Sequence, residues 1–153
     1  MKKIILLATL CLTQLTHAVI FEVTDICEDI PILKEDIQVF QSTTVGHLTK
    51  YTFDSYSIPY IGSEMEMHSI LNTPFGRDAI QFLAPNTVRV YGWCFEINGM
   101  VSSLPTYQSL VSPHSKSHIR WFFGYAERQA DRWGEYCKPA YEMKDGFMCL
   151  QKK

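Results

Sequence analysis

The sequence has no CxxC pair, no HExxH motif, no internal repeat and no low-complexity tract. The first two absences remove the main support for a zinc ribbon, a thioredoxin-like redox centre or a helical zinc site. The other two leave an ordinary globular chain with room for one core. Basic charge is scarce, with 14 Lys and Arg against 16 Asp and Glu. Nucleic-acid binding needs clustered cations to displace counterions from phosphates, so that class is set aside. No apolar run approaches the roughly 20 residues that span a bilayer. The run Ile4 to Leu12 follows Lys2 and Lys3 and precedes Thr16 and Ala18, which fit the positions three and one before a signal-peptidase cut.

Residues 1–18 therefore read as a cleaved signal, and the mature chain as secreted or periplasmic, with no integral membrane segment. A lipid anchor on Cys11 fits poorly because the bulky Leu10 precedes it. Cleavage removes Lys2 and Lys3, leaving 12 basic against 16 acidic residues and a formal charge of −4. It also removes Cys11, so Cys27, Cys94, Cys137 and Cys149 remain. An even set in an oxidising compartment reads as two disulfides, with three connectivities open.

Hydrophobic patterning divides the mature chain into three parts. Residues 19–43 are apolar in patches, acidic between them and interrupted by Pro31, which predicts an N-terminal arm of short extended pieces. Residues 44–125 form the body. Its first stretch, TVGHLTKYTFDSYSIPYI, is rich in Thr and Tyr, sets Val45, Leu48, Tyr51 and Phe53 among polar residues, and breaks at Gly46, which predicts a hairpin. In GSEMEMHSILN, Ser63 reads as an N-cap with Glu66 three residues on, and Met67, Ile70 and Leu71 recur at the spacing of one helical face. That segment is the expected helix, stopped by Pro74 and Gly76. Ala79–Leu83 and Val88–Ile97 read as strands around an APNT turn, Asn98-Gly99 as a type I′ hairpin turn, and HIRWFFGYA as a further strand. Residues 126–153 read as an extension of short extended pieces stapled to the body.

Within Val88–Ile97, alternation places Tyr91, Trp93, Phe95 and Ile97 on one face and Val90, Gly92, Cys94 and Glu96 on the other. The aromatic face is expected to be core. GWCFEING also resembles the Gly-Trp-x-Tyr-x-Val-Asn-Gly signature of a family of small bacterial secreted domains related to the C-terminal β domain of transcobalamin and intrinsic factor. The helix opened by Gly62 and Ser63, and the stretch TYQSLVSPHSKSHIRWFF, fall in the order of that family. The resemblance covers about Thr44 to Phe123. It implies an α+β, β-grasp-like mixed sheet packed on one helix, of the soluble-ligand-binding kind. It does not imply cobalamin binding, which in the vitamin carriers also needs a large helical barrel, and no cofactor is expected. Cys94 within the signature and the tail after Tyr125 depart from the family, which adds weight to a disulfide-linked extension. The expected pairs are Cys94 with Cys137 and Cys27 with Cys149, each contributing roughly 2 to 4 kcal/mol.

Chemistry is thinly represented. Cys94 with one of His47, His68, His114 and His118 would give a small envelope hydrolase, yet no thiol-protease signature surrounds it. His114 and His118 share a four-residue spacing but sit in a polar, Pro-led connection, so a metal site is not expected. Glu64 and Glu66, or Glu28 and Asp29, read as a solvated charged surface rather than an acid–base pair. The aromatic tail is the better candidate. Tyr125, Trp133, Tyr136 and Tyr141, with Arg128 and Arg132, form a set able to stack on a glycan ring or hold a protein partner. The competing reading packs that tail on a sheet edge. The chain is accordingly expected to be a non-enzymatic binding or protein-interaction module. Export predicts a mature N-terminus at Val19, and intact-mass measurement of the exported protein checks it; a retained Met1 or a lipid on Cys11 contradicts it.

Overall fold

Three strands with alternating apolar residues set the centre of the molecule, and the chain ends are drawn to them. The computed structural model describes residues 18–143 and Cys149. The expected leader lies outside these residues except for Ala18, as does most of the stretch after Met143. In chain order the elements are β1 (Ala18–Thr24), β2 (Pro31–Gln38), β3 (Thr43–Thr44), α1 (Val45–Tyr56), β4 (Tyr60–Gly62), β5 (Met67–Ile70), β6 (Ile80–Ala84), β7 (Thr87–Ile97), β8 (Met100–Val101), β9 (Leu110–Val111), β10 (His118–Gln129), β11 (Arg132–Trp133) and β12 (Lys138–Pro139). The main sheet runs β2-β1-β10-β7-β6, with β8, β11 and β12 attached to its flanks. β1 and β10 are parallel, and the other neighbours on this path are antiparallel. The fold is α+β, a mixed sheet carrying one α-helix among the described residues.

Residues 19–43, expected as an arm, form β1 and β2 and supply part of the core. Val19, Phe21 and Val23 are fully buried in β1. They share a face with Ile119 and Trp121 of β10 and with Phe95 of β7. The helix covers this face through Val45, Leu48, Thr49, Thr52 and Phe53. Phe21 meets Phe53 edge-on with centroids 6.0 Å apart, and Phe95 lies 5.2 Å from Trp121. Burying each such ring contributes on the order of 1.5–3 kcal/mol. Trp93, expected in the core, is half-buried and packs against both this cluster and a second one around Tyr91 and Phe123. Its indole Nε1 donates to Thr73 Oγ1 at 2.7 Å.

The expected helix and the expected hairpin are exchanged. Val45–Tyr56 is the helix, because Val45, Leu48, Thr49, Thr52 and Phe53 recur at the i, i+3, i+4, i+7, i+8 spacing of a single buried stripe. Thr44 caps it, its side chain accepting from the His47 backbone N–H. The threonines that suggest strand are accommodated by hydrogen bonds: Thr52 donates to the Leu48 carbonyl at 2.7 Å, and Thr49 accepts from Trp121 Nε1 at 3.0 Å. In GSEMEMHSILN the Ser63 and Glu66 pair closes a turn instead. Ser63 N–H donates to the Glu66 carbonyl at 2.8 Å, and Ser63 Oγ accepts from Met65 N–H. The chain then pairs β4 with β5. The other strands stand where expected within one to three residues, and Asn98 and Gly99 have φ of 54° and 79°, as their hairpin turn requires.

Both expected disulfides are present, Cys27–Cys149 and Cys94–Cys137, closing separations of 122 and 43 residues. On chain-entropy grounds they contribute roughly 5 and 4 kcal/mol. The tail lies along β10, with β12 pairing Gly124 and Tyr125, and β11 pairing Arg128 and Gln129. Gly124 permits this: a Cβ there would sit 3.2 Å from both Cys94 Sγ and the Lys138 carbonyl. Close approach is tighter at Gly46, where a Cβ would lie 1.8 Å from the Glu64 carbonyl oxygen. Neither backbone can retreat, because Gly46 N–H donates to the Thr106 carbonyl and the Thr106 hydroxyl reaches the Glu64 and Met65 carbonyls. Gly46→Ala is therefore expected to cost about 1–3 kcal/mol or more, despite alanine's better helix propensity. Urea unfolding measures it, and an unchanged or raised midpoint contradicts the packing described.

Candidate functional site

The two faces of the sheet differ in chemistry. The face away from α1 carries, near the start of β10, a set of charges inside otherwise apolar strands. Glu22 of β1 is buried and meets Lys34 Nζ at 2.9 Å, His118 Nε2 at 3.2 Å and Arg120 Nε at 3.3 Å. Arg120 extends the network to Glu96 at 3.5 Å, to Asp29, and to Tyr141, whose hydroxyl accepts from it at 3.2 Å while its ring lies 5.7 Å from the guanidinium. Burial raises the Glu22 pKa, but the hydrogen bond and charge of Lys34, aided by His118, outweigh it and hold the carboxyl below its ordinary value of 4.5. Asp29 comes from the β1–β2 connection and Tyr141 from the tail. The network thus ties both chain ends to the sheet and is saturated by its own partners.

Farther along the same face, the register aligns four residues on four adjacent strands. Phe82 of β6 pairs with Val88 of β7, Val88 with Arg128 of β10, and Arg128 with Trp133 of β11. Directly paired residues share a face, so these side chains form one row across the strands, spanning three strand spacings, roughly 14 Å. The row is open, Phe82 being 81% and Trp133 43% exposed. Tyr136, 67% exposed, lies nearly parallel to Trp133 with ring centroids 6.1 Å apart and 27° between planes. The Arg128 guanidinium lies 5.9 Å from the Trp133 ring, and among the described residues it has no carboxylate at ion-pair distance. A cavity of about 320 Å³ opens beside the row, with Phe82, Asn86, Val88, Arg128 and Asp131 on its walls.

Of the residues expected in an aromatic site, Arg128, Trp133 and Tyr136 are brought together. Arg132 neighbours Trp133 on the exposed β11. Tyr125 and Tyr141 go elsewhere. Tyr125 falls on the helix-side face, against Tyr91 and under Arg89 at 4.8 Å, with Arg89 also paired to Glu127 at 2.8 Å. Tyr141 is taken by Arg120. Odd and even positions of β10 face opposite ways, which separates Tyr125 from Arg128. Phe82 and Asn86 were not anticipated, because their place in the row depends on a pairing between strands that composition does not disclose.

The residues weighed for enzymatic chemistry are dispersed or occupied. Cys94 is bonded to Cys137 and has no thiol. His47 pairs with Glu64, His68 with Glu66, and His118 with Glu22. Among the described residues no three of His, Cys, Asp and Glu converge so as to hold a metal ion, and no helix is long and apolar enough to cross a membrane. Compared with family models, curated proteins and solved structures, the chain finds no match.

The buried carboxylate has a pH consequence. Since the folded Glu22 pKa is lowered, its stabilising contribution is present above the ordinary value of 4.5 and is lost as pH falls through the folded value. Glu22→Gln should flatten the loss of stability on that acid side and lower stability at neutral pH, where Arg120 and Lys34 lose their partner. Thermal melts of both proteins across pH 3 to 7 check this; parallel curves for the two contradict it.

Proposed function

We propose that the chain is an exported, non-enzymatic binding module of β-grasp-like fold, related to the transcobalamin-type secreted domains, that holds an acidic glycan along the Phe82, Val88, Arg128 and Trp133 row. The fold reading is supported by the order of elements: a first hairpin, a helix, antiparallel strands, and a last long strand that returns to the centre parallel to β1. The two disulfides are compatible with an oxidising compartment.

One observation carries the ligand reading, the in-register row with an unneutralised arginine between exposed aromatic rings. Aromatic faces take the apolar faces of pyranose rings, and a guanidinium offers a carboxylate two parallel N–H donors. Rings at both ends of a roughly 14 Å row suit a short oligosaccharide better than a single small molecule. Asp131 on the cavity wall adds a hydrogen-bond acceptor for sugar hydroxyls. Enzymatic use of Cys94 has no thiol to draw on.

The test is titration of the disulfide-intact protein with uronate-bearing and neutral oligosaccharides. Acidic oligosaccharides should bind, Trp133→Ala should weaken them on the order of tenfold or more, and Arg128→Gln should remove the preference over neutral ones. The melting temperature of Trp133→Ala should remain that of the parent, since the ring is exposed. Unfolding of Trp133→Ala, or binding indifferent to it, overturns the assignment.

A further inference from the structure

A second surface lies at the opposite edge of the sheet, and it has different chemistry. β2, the terminal strand of the main path, ends at Gln38, and the chain bends at Phe40 and Gln41 before Thr44 caps α1. A groove of about 720 Å³ lies between this segment and the helix. Because the chain reverses here, Gln41 and His47 lie toward one end of the groove and Tyr56 toward the other, roughly 13 Å away along the helix. Its floor is apolar. Ile37, which pairs with Val19 and so faces α1, lies there with the buried Val39 and Leu48. Phe40, Tyr51 and Tyr56 line the walls, 81%, 60% and 45% exposed, and among the described residues none of these rings stacks on another.

Charge enters at the Tyr56 end. The register of β2 on β1 sets the half-buried Glu35 opposite Phe21, on the helix side of the sheet, where it accepts from the Tyr56 hydroxyl. Partial desolvation and that carboxylate raise the Tyr56 pKa above its ordinary value, so the hydroxyl stays a neutral donor and Glu35 carries the charge. No cation answers it. Lys34 is paired with Glu22 on the other face, Lys50 with Asp54 and His47 with Glu64, and Glu35 has no cation at ion-pair distance among the described residues. Asp36 faces away from α1 with Lys34 and lines a separate cavity with Lys116 and His118.

We infer that this groove binds an elongated organic cation, an alkylated ammonium whose head lies between Tyr51, Tyr56 and Glu35 and whose apolar chain follows Ile37, Val39 and Leu48 toward Phe40. A half-buried carboxylate without a counter-ion is costly, and a cationic head removes that cost. Open aromatic faces add to the attraction. Alkylation suits the site because a primary ammonium brings three N–H donors, whereas Glu35 already accepts from Tyr56 and the floor offers no acceptor side chain. The groove has the volume of a small-molecule site. It stands at the other edge of the sheet from the Phe82 and Trp133 row, so it does not depend on the glycan reading.

The experiment is NMR titration of the full disulfide-intact chain with hexyltrimethylammonium, hexylammonium, hexanol and hexanoate. Hexyltrimethylammonium should bind with a Kd on the order of a millimolar, as suits a ligand of its size, and shift the Phe40 and Tyr51 signals. It should bind on the order of tenfold tighter than hexanol, and hexanoate more weakly still. Glu35→Gln should remove most of the preference for the cation over hexanol, while Asp36→Asn, on the other face of the same strand, should leave it intact. Tyr51→Ala, at an exposed helix position, should weaken the cation about two- to fivefold with the melting temperature unchanged. Shortening the chain to butyl should weaken it at least about twofold, since the floor then loses apolar cover. The proposal is overturned if hexanol or hexanoate binds as tightly as the cation, if hexylammonium binds more tightly than its trimethyl analogue, or if Asp36→Asn weakens binding as much as Glu35→Gln. It is equally overturned if the Phe40 and Tyr51 signals respond to protein concentration instead of ligand, which would place a second copy of the chain on the groove.

Discussion

Strand β10 has to be hydrogen-bonded along both edges over its whole length, and the rest of the molecule is arranged around that need. One edge is met by β7, which runs antiparallel to it from Ile119 to Gln129. The other is met by β1 only as far as Trp121. From Gly124 onward the edge would be bare inside a mostly apolar sheet, where unpaired backbone groups are costly. The tail fills the gap with β12 and β11, and the Cys94–Cys137 bridge holds it there. Much of the C-terminal segment therefore serves the sheet. Its aromatic side chains remain open at Trp133, which pairs with Arg128, and at Tyr136, just beyond β11.

The same constraint explains the buried ions. β1 and β10 are central strands, yet each carries charge among apolar neighbours: Glu22 in the first, His118 and Arg120 in the second. Parallel pairing sets Glu22 beside Arg120, and the antiparallel β7 sets Glu96 on the other side of the same arginine. A buried charge with its partner removed typically costs about 3–5 kcal/mol, so this face tolerates few other pairings of the strands. We regard the network as a register lock between the two ends of the chain rather than as a site.

Much of the sheet was legible in the sequence, because strand periodicity and turn chemistry are local. Val88–Ile97, the Asn98-Gly99 turn and HIRWFFGYA read correctly for that reason, whereas the cysteine pairing, present as expected, was one of three connectivities that the residues alone left open. The helix was misplaced because two local signals outweighed a third. Thr and Tyr in residues 44–56 suggest strand, and Ser63 with Glu66 suggests a helix start, but the five-residue stripe from Val45 to Phe53 decides the matter once a sheet exists to bury it. The N-terminal strands were read as an arm because their partner lies far away in sequence. The aromatic row was half legible: Arg128, Trp133 and Tyr136 are neighbours along the chain, whereas Phe82 joins them only through the register of β6 on β7 and β7 on β10. The charged network had a signal that went unused, namely single charges of opposite sign inside two apolar strands.

The pairing of β1 with β10 also governs how the chain is made. Glu22 and His118 are 96 residues apart, and Cys27 waits for Cys149. While the chain emerges from the ribosome or from a translocation pore, β1 and β2 can form only a two-stranded hairpin, which is marginal in isolation. The sheet that carries the apolar face of Val19, Phe21 and Val23 is incomplete until β10, about a hundred residues later, is available. Folding is then a late, whole-chain event with high contact order, slow compared with helical domains of similar size and exposed to aggregation meanwhile. Such a chain stays incompletely folded until β10 and Cys149 have been made, and its need for chaperones and disulfide formation is greatest from then on.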